Sequence, residues 1–237
     1  MEGEYDGKGE NMPKSLFEEF DNIIILDTET TGLDFRKDEI IEFAALRAVS
    51  RGGKTVIEDE FDLFIKLSPG GKLTQFITDL TGITQEMLDN EGVEKVEAAR
   101  RFADMLNRDK TLIVAYNAQF DLQFIFYLLN DHGLMDCLKG KKMLDALTVY
   151  KDRRPYPHKL CNAIEAYDLD EENTHRAIDD TKATLTLLKA MENERNDLPK
   201  YINLFGYNPK YGPSGRKISS VTYAPQPYNS AKPIYES

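Results

Sequence analysis

The hydrophobic pattern of the first third of the chain predicts three β-strands joined by short connections. Residues 23–26 are aliphatic without a polar break, which is typical of a strand that is buried on both faces. Residues 39–49 and 56–67 carry apolar side chains at the spacing of two further strands, and the Arg-Gly-Gly-Lys segment at 51–54 is typical of a hairpin turn. Short connections between consecutive strands favour antiparallel pairing, so this region is expected to be an antiparallel meander.

After residue 71 the pattern changes to helical spacing interrupted by short apolar runs. Apolar residues three and four apart predict helices, and the short runs predict strands. The predicted elements are short helices within 73–88, a helix at 93–106, a strand at 111–116, a helix at 117–132, a strand at 142–146, a loop at 152–157, a short helix at 159–167 and a long helix from 176 to about 194. A meander followed by helix–strand alternation predicts an α/β fold, in which a mixed sheet of three antiparallel strands plus parallel strands has helices on both faces.

Length and composition divide the chain into three parts. A chain of 237 residues is ample for one domain with a sizeable core and marginal for two. Residues 1–20 are predicted to be a flexible acidic segment with a short helical turn at 15–20, and residues 21–198 are predicted to form the folded domain. Residues 199–237, here called the tail, contain five basic residues, one acid and six of the twelve tyrosines. The tail could stack on a single strand of nucleic acid, or pack on its own domain or on a second subunit, and packing is the preferred interpretation.

Charge and hydropathy restrict the class of protein. The formal net charge of −11 argues against strong nonspecific binding of nucleic acid, unless the acids gather at a metal site where bound cations reverse the local field. No apolar run approaches the ~20 residues that span a bilayer, and the N-terminus lacks the basic start and apolar stretch of a signal peptide. Cys137 and Cys161 lie outside any Cys-x-x-Cys pair, which indicates reduced thiols and no zinc site. A cytoplasmic protein without membrane contact is therefore expected.

Two carboxylates follow the first predicted strand directly. Asp27 and Glu29 are two residues apart, and side chains at i and i+2 of an extended chain point to the same face. Two such carboxylates on a buried strand are costly unless a cation compensates them. The alternative for this pair alone is a polar strand end followed by a solvated turn.

Three more candidates lie at helix starts further along the chain. Asp121 falls near the first turn of the helix after the fourth strand, where the helix dipole favours an acid, and this alone would account for it. His175 and Asp180 lie at the start of the long helix, where small residues at Ala177 and Ala183 allow close approach to the sheet. Since a lone histidine in a loop is more often a surface or packing residue, these residues indicate a site only in combination.

In combination, three motifs resemble those of a known enzyme family. They are Asp27-Thr28-Glu29-Thr30-Thr31-Gly32-Leu33, then Asn117-Ala118-Gln119-Phe120-Asp121 with Phe124 following, and then His175-Arg176-Ala177-Ile178-Asp179-Asp180-Thr181-Lys182-Ala183. A weaker match is Lys159-Leu160, shortly before the third motif. On these residues the chain resembles the DEDDh, or DnaQ-like, 3′→5′ exonucleases of the ribonuclease H-like fold. The resemblance spans about residues 23–188 and leaves out the N-terminal segment and the tail.

This resemblance implies a phosphodiester hydrolase with two divalent cations. Hydrolysis of a phosphodiester needs neutralised charge on the phosphate and a nucleophilic water, and two divalent ions supply both. Carboxylate ligands favour Mg²⁺ or Mn²⁺ over zinc. By resemblance, Asp27 bridges both ions and Asp121 holds the second ion. Glu29 and Asp180 complete the ion on the side of the nucleophile.

The resemblance also implies the general base and the substrate contacts. His175 would take the proton from the attacking water, a role that suits an imidazole near neutral pH. Asp180 rather than Asp179 would be the ligand, because the aspartate of the family stands five residues after its histidine. His158 is expected to be a loop or packing residue. The residues expected to contact substrate are Thr30, Thr31, Gly32, Leu33, Asn117 and Phe124, with core packing as an equal alternative for Leu33 and Phe124.

The sequence is compatible with three functions. The first is a metal-dependent 3′→5′ exonuclease that releases nucleoside 5′-monophosphates from single-stranded 3′ ends, DNA before RNA, as in the proofreading subunits and domains of bacterial replicative DNA polymerases. The second is an exoribonuclease resembling ribonuclease T or oligoribonuclease, because a ribonuclease H-like site does not by itself distinguish a 2′-hydroxyl. The third is an interaction subunit on a DNA polymerase with little catalysis, which the complete set of five site residues disfavours.

Overall fold

The central element of the fold is a five-stranded mixed sheet. The computed structural model describes residues 15–171, 175–227 and 232–236, and residues 1–14 of the predicted flexible segment lie outside these ranges. The strands are β1 (Asn22–Thr30), β2 (Ile40–Arg51), β3 (Lys54–Phe64), β4 (Thr111–Ala115) and β5 (Lys142–Asp145), in the order β3-β2-β1-β4-β5. The β1–β2 and β2–β3 pairs are antiparallel, whereas the β1–β4 and β4–β5 pairs are parallel. The predicted fold class, including the antiparallel meander, is confirmed.

Helices cover both faces of this sheet. They are α1 (Leu16–Glu19), α2 (Gln75–Thr81), α3 (Gln85–Glu91), α4 (Lys95–Leu106), α5 (Ala118–Asp131), α6 (Ala146–Arg153), α7 (Leu160–Ala166) and α8 (Ala177–Glu194), with 3-10 turns at Met135–Leu138, Leu198–Tyr201 and Ile234–Glu236. Because side chains alternate along β1, Ile24 and Leu26 pack with α4 and α5, whereas Ile23 and Ile25 pack with α6, α7 and α8. None of the helices in the described ranges is both long and apolar enough to cross a membrane.

The helix α6 is missing from the sequence prediction, which has a strand at 142–146 and a loop from 152. The strand ends one residue earlier because Asp145 caps the helix: its carboxylate accepts the backbone N–H groups of Leu147 and Thr148, each at 3.2 Å. The helix then runs to Arg153 and includes the first two residues of the predicted loop. The sequence predicts a single strand at 142–146, although this segment contains the end of a strand and the start of a helix.

The described part of the tail folds back onto the domain. Leu204–Tyr207 (β6) and Thr222–Pro225 (β7) form a two-stranded parallel sheet. Tyr201 is fully buried. The hydroxyl of Tyr235 donates to Asp197 at 2.7 Å, and the hydroxyl of Tyr223 donates to Gln119 at 2.6 Å. These three tyrosines are packing residues, as the preferred interpretation expects, whereas Tyr228 lies outside the described residues.

Candidate active site

The carboxyl end of β1 carries two acids on the face that packs against α8. Asp27 and Glu29 share the face of Ile23 and Ile25, whereas Thr28 points to the opposite face. Both acids are half-buried, although the aliphatic residues before them are fully buried. The pair of carboxylates that the sequence predicts therefore lies where the buried strand opens into a cleft.

Asp121, in the first turn of α5, is hydrogen-bonded to the same end of β1 from the other face of the sheet. It is only 2% exposed. Its Oδ1 accepts hydrogen bonds from the backbone N–H of Thr28 at 3.0 Å and from the Thr28 hydroxyl at 2.8 Å. Because Thr28 lies between Asp27 and Glu29, these bonds fix the Asp121 carboxylate beside both acids.

The start of α8 brings another acid and the histidine to this cleft. Asp180 is 6% exposed, whereas His175 is exposed and has a left-handed φ of 57°. Carboxylate oxygens of Glu29 and Asp180 and a ring nitrogen of His175 all lie within 4.8 Å of one another. Two segments that are far apart in the sequence thus converge at one point.

An ion pair with a buried carboxylate fixes the start of α8 relative to the sheet. Glu42 lies opposite Glu29 in the β1–β2 pairing and is fully buried. Its Oε1 accepts a hydrogen bond from Arg176 Nε at 2.8 Å and forms an ion pair with Arg176 Nη2 at 2.6 Å. Its Oε2 accepts the backbone N–H of Ala177 at 2.9 Å. Both oxygens of this carboxylate therefore hold the residues that immediately follow His175.

Burial and mutual repulsion raise the pKa of the acids in the cleft. Burial, followed by the charges of Asp121, Asp180 and Glu29, raises the pKa of Asp27 well above its usual range. Burial and neighbouring acids raise the pKa of Glu29 to about 8. Burial raises the pKa of Asp121 to about 7. Such carboxylates retain protons near neutral pH unless a cation neutralises them.

This set of donors fits a divalent cation that prefers oxygen ligands. A bound cation would remove the repulsion between the carboxylates and compensate their partial burial. Carboxylate oxygens match the ligand preference of Mg²⁺ and Mn²⁺. Asp27, Glu29, Asp121 and Asp180 would hold the ions, and His175 lies at the exposed edge of the same group.

The turn after β1 is shaped by a close approach at Gly32. A Cβ at this position would overlap the carboxylate of Asp38, whose Oδ1 accepts a hydrogen bond from the Thr31 hydroxyl at 3.3 Å. The Thr30 hydroxyl donates to the carbonyl oxygen of Gly32 at 2.6 Å. The turn leaves Leu33 84% exposed, so this side chain is not a core residue.

The two candidate substrate contacts at α5 differ in exposure. Asn117 is exposed, has a left-handed φ of 68°, and donates its backbone N–H to Asp145 Oδ1 at 3.0 Å. Phe124 is 4% exposed and packs against Phe120 and Phe35, with ring centroids 5.0 and 6.5 Å apart. Core packing therefore accounts for most of the surface of Phe124, whereas Asn117 is available to a ligand.

Two residues near the motifs lie apart from this group. The Nε2 atom of His158 is 3.0 Å from the carbonyl oxygen of Arg154, and its ring stands edge-on to Tyr150 with centroids 5.6 Å apart. His158 is thus a half-buried packing residue. Asp179 is half-buried and outside the group that lies within 4.8 Å, to which Asp180 belongs.

Sequence reasoning missed Glu42 and Asp145, the two buried acids that support the site. Glu42 interrupts the apolar run from Ile40 to Leu46, and a charged residue is rarely fully buried without a partner. That interruption is the signal that could have identified Glu42. Asp145 accepts the backbone N–H groups of both Asn117 and Ala118, so it fixes the start of α5 that carries Asp121. Only its position at the end of a buried strand indicates this role.

Sequence comparisons find relatives among exonucleases and DNA polymerases. The family model RNase_T, described as an exonuclease, matches residues 24–188. The chain is 34% identical over 186 residues to the PolC-type DNA polymerase III of Bacillus subtilis (strain 168), covering 76% of this chain and 12% of the polymerase. It is also 34% identical over 163 residues to the PolC-type DNA polymerase III of Thermotoga maritima, covering 68% of this chain and 11% of the polymerase. The chain thus spans only about a tenth of the length of these relatives.

Solved structures of E. coli exonuclease I share the fold. The zinc-bound complex of exonuclease I with single-stranded DNA has a TM-score of 0.68 at 20% identity, covering 77% of this chain and 42% of that chain. Its complex with a dT13 oligonucleotide has a TM-score of 0.67 at 20% identity, covering 76% of this chain and 43% of that chain. These likenesses bear on the fold alone, whereas the family model covers more than half of the chain and all three motifs. The chain therefore belongs to the exonuclease family that its DEDDh motifs predict.

Proposed function

We propose that this chain is a metal-dependent 3′→5′ exonuclease that hydrolyses phosphodiester bonds at the 3′ ends of single-stranded DNA and releases nucleoside 5′-monophosphates. The observation that carries the proposal is the convergence of Glu29, Asp180 and His175 within 4.8 Å, beside Asp27 and Asp121. Such a group combines the oxygen donors that hold divalent cations with a side chain that can accept a proton.

The environment of each residue supports a separate role. Asp27, Glu29, Asp121 and Asp180 would hold two Mg²⁺ or Mn²⁺ ions, which when bound neutralise charge on the phosphate and favour ionisation of a water. His175 is exposed at the edge of this group, where a ring nitrogen can take the proton from the attacking water and pass it to solvent.

The turn after β1 is the proposed contact for the 3′ end. An apolar side chain that is 84% exposed, such as Leu33, can insert against the terminal bases. The Thr30-Thr31-Gly32 backbone would face the terminal nucleotide, and the hydrogen bonds of Thr30 and Thr31 hold this turn in place. Asn117 would contact the same nucleotide from the start of α5, where it is exposed.

The relatives support DNA as the substrate and a replicative DNA polymerase as a partner. The sequence relatives are PolC-type DNA polymerases, and the structural neighbours include exonuclease I in complex with single-stranded oligonucleotides. Because the chain covers about a tenth of the polymerases, the polymerase partner needs its own test by co-purification or crosslinking.

The test uses matched single-stranded DNA and RNA oligonucleotides with a 5′ label, in Mg²⁺ and in Mn²⁺. We expect the DNA to shorten from its 3′ end in steps of one nucleotide, with nucleoside 5′-monophosphates as product on chromatography. Asp27→Asn protein from the same purification serves as the control for contaminating nucleases. Cleavage from the 5′ end or within the strand, or no cleavage in either metal, would contradict the proposal. If RNA is degraded faster than DNA, the preferred substrate is RNA and not DNA.

A further inference from the structure

A groove of about 790 Å³ lies beside α5, away from the carboxylates of the site. One wall is the tail at residues 216–220, and the other is the segment after α5 that includes Met135–Leu138. The helix lines its floor with residues such as Gln123, Tyr127 and Asn130, which share one face because they are three and four residues apart. This groove, here called the tail groove, plays no part in the function proposed above.

Three cations and no acid line the tail groove: they are Lys139, Arg216 and Lys217. All three are exposed, and within the described ranges none forms an ion pair with a carboxylate. This is a local excess of positive charge on a chain with a formal net charge of −11. Most of the surface should repel a polyanion, so the tail groove is a place where one can bind.

Hydrogen bonds to two buried glutamines of α5 hold the tail wall of the groove in position. Gln119 Nε2 donates to the carbonyl oxygens of Ser214 and Arg216 at 2.8 and 2.9 Å, and Gln123 Oε1 accepts the backbone N–H of Arg216 at 3.0 Å. Gly215 has a φ of 65°, and a Cβ there would overlap the amide of Gln123. Since Gln119 and Gln123 are 8% and 6% exposed, the backbone that carries the cations is anchored to α5 by buried partners.

Two aromatic rings connect the tail groove with a second pocket near the turn after β1. Tyr127 lines the groove and also a neighbouring pocket of about 320 Å³, which Phe35 and Phe124 line as well. The rings of Phe35 and Tyr127 are in contact, with centroids 5.2 Å apart. Phe35 lies two residues after Leu33, the exposed residue of the proposed 3′-end contact. A strand that ends at Leu33 would cross these rings to enter the groove, through a pocket lined by both acids and cations.

We propose that the tail groove binds the backbone of the single-stranded nucleic acid upstream of its 3′ end, with phosphates on Lys139, Arg216 and Lys217. This inference rests on the proposed function, and it adds a site that would favour longer strands over short ends. An acidic peptide of a protein partner would satisfy the same charges, but the contact of Tyr127 with Phe35, two residues from Leu33, favours the strand itself. The tail thus both packs on the domain and supplies charge to the substrate path.

The test compares a 15-nucleotide DNA strand with the p-nitrophenyl ester of thymidine 5′-monophosphate, whose only phosphate is the scissile one. The variant is Arg216→Gln with Lys217→Gln, both at exposed side chains. The matched control is Lys54→Gln with Lys189→Gln, which removes the same charge at exposed positions outside the groove. Thermal denaturation checks that both double variants are folded.

Two phosphate contacts on a single strand contribute about 1.4 to the slope of the logarithm of affinity against the logarithm of salt concentration. We therefore expect the groove variant to raise the KM for the 15-nucleotide strand about 20-fold at 0.1 M salt. The slope of log KM against log salt should fall by about that amount, and hydrolysis of the ester should stay within about twofold of the wild type. The control variant should leave all three quantities unchanged.

A KM within about twofold of the control variant would overturn the groove inference while leaving the exonuclease proposal intact. If the wild type cleaves neither substrate, the exonuclease proposal fails instead. Fluorescence anisotropy of a labelled 15-nucleotide strand in EDTA then still tests the groove, because binding there needs no turnover. Equal affinity for the wild type and the groove variant in that assay would reject the groove as a nucleic-acid site.

Discussion

Glu42, fully buried in β2, binds Arg176, the residue that follows His175, through Nε at 2.8 Å and Nη2 at 2.6 Å. The second oxygen of Glu42 accepts the backbone N–H of Ala177, the first residue of α8. One carboxylate of the sheet thus positions the segment that carries both His175 and Asp180. Its own oxygens are engaged by these donors, so Glu42 acts on the site through its neighbours.

Glu42→Gln should therefore reduce turnover as well as stability. The substitution keeps the shape of the side chain, but it removes the charge that Arg176 needs and turns an amide N–H₂ toward a backbone or guanidinium donor. We expect a loss of about 3 kcal/mol in the free energy of unfolding, at the low end for a broken buried pair because Arg176 is partly exposed. A displaced His175 should lower kcat by about 10–100-fold. Urea denaturation and single-turnover cleavage measure the two effects.

Glu58→Gln is the matched control for that substitution. Glu58 also pairs with arginines, through Arg47 at 3.1 Å, but it lies on β3 and its partners do not belong to the site. A solvent-accessible pair of this kind contributes little to stability, so stability should fall slightly and kcat should not change. Equal kcat values for the Glu42 and Glu58 variants would contradict the positioning role of Glu42.

Without divalent cations, the protein should be more stable at pH 5 than at pH 8. The folded-state pKa values of Glu29 and Asp121, about 8 and about 7, exceed their ordinary values of 4.5 and 3.8. Folding therefore takes up protons within this window, and the free energy of unfolding falls as the pH rises through it. Urea denaturation in EDTA from pH 5 to pH 8 measures the slope, and Mg²⁺ should reduce it because the ion stabilises the ionised acids. A stability that rises with pH in EDTA would contradict the crowding of these carboxylates.

Asp27→Asn should abolish hydrolysis and stabilise the protein when cations are absent. The burial and mutual repulsion that raise the pKa of Asp27 indicate that its charge is unfavourable in the folded state. The melting temperature in EDTA at pH 8 should thus rise, and the further increase that Mn²⁺ gives the wild type should shrink. Asp109→Asn, at an exposed acid outside the cleft, should change neither turnover nor the response to Mn²⁺. Turnover by the Asp27 variant would reject its assignment as a metal ligand.

The fold class follows from periodicity, whereas the meeting of the acids is an expectation from the family resemblance of the three motifs. Asp27 and Glu29 end an aliphatic strand, and Asp121 and Asp180 lie in first turns of helices. The parallel strands β1 and β4 place Asp27, Glu29 and Asp121 at one edge of the sheet. The helix α8 follows another helix, so Asp180 reaches these acids only through the packing of α8 on β1. The exposure of Leu33 could not be predicted, since it depends on how Asp38 shapes the turn.

The supporting contacts could not be predicted, because they depend on register and on packing between distant segments. Glu42 supports His175 only because the β1–β2 pairing places it opposite Glu29, within reach of a helix more than a hundred residues away. The strands β6 and β7 have four residues each and form within a tail whose composition resembles a loop. The buried glutamines of α5 that anchor the tail look like ordinary helix residues in the sequence.

The substitution His175→Ala tests whether His175 is the general base. If His175 takes the proton of the attacking water, its loss should lower kcat by about 10²–10⁴-fold. The variant should still bind Mn²⁺, because the four carboxylates that would hold the ions are unchanged, so its melting temperature should still rise with the ion. His158→Ala is the control: that ring packs on Tyr150 and contacts the carbonyl oxygen of Arg154, so its removal should cost stability and leave most of kcat. Single-turnover cleavage of the same DNA strand by both variants and the wild type gives the comparison. If the His158 variant is inactive and the His175 variant active, the base lies elsewhere, and the family pattern would extend to the carboxylates without the histidine.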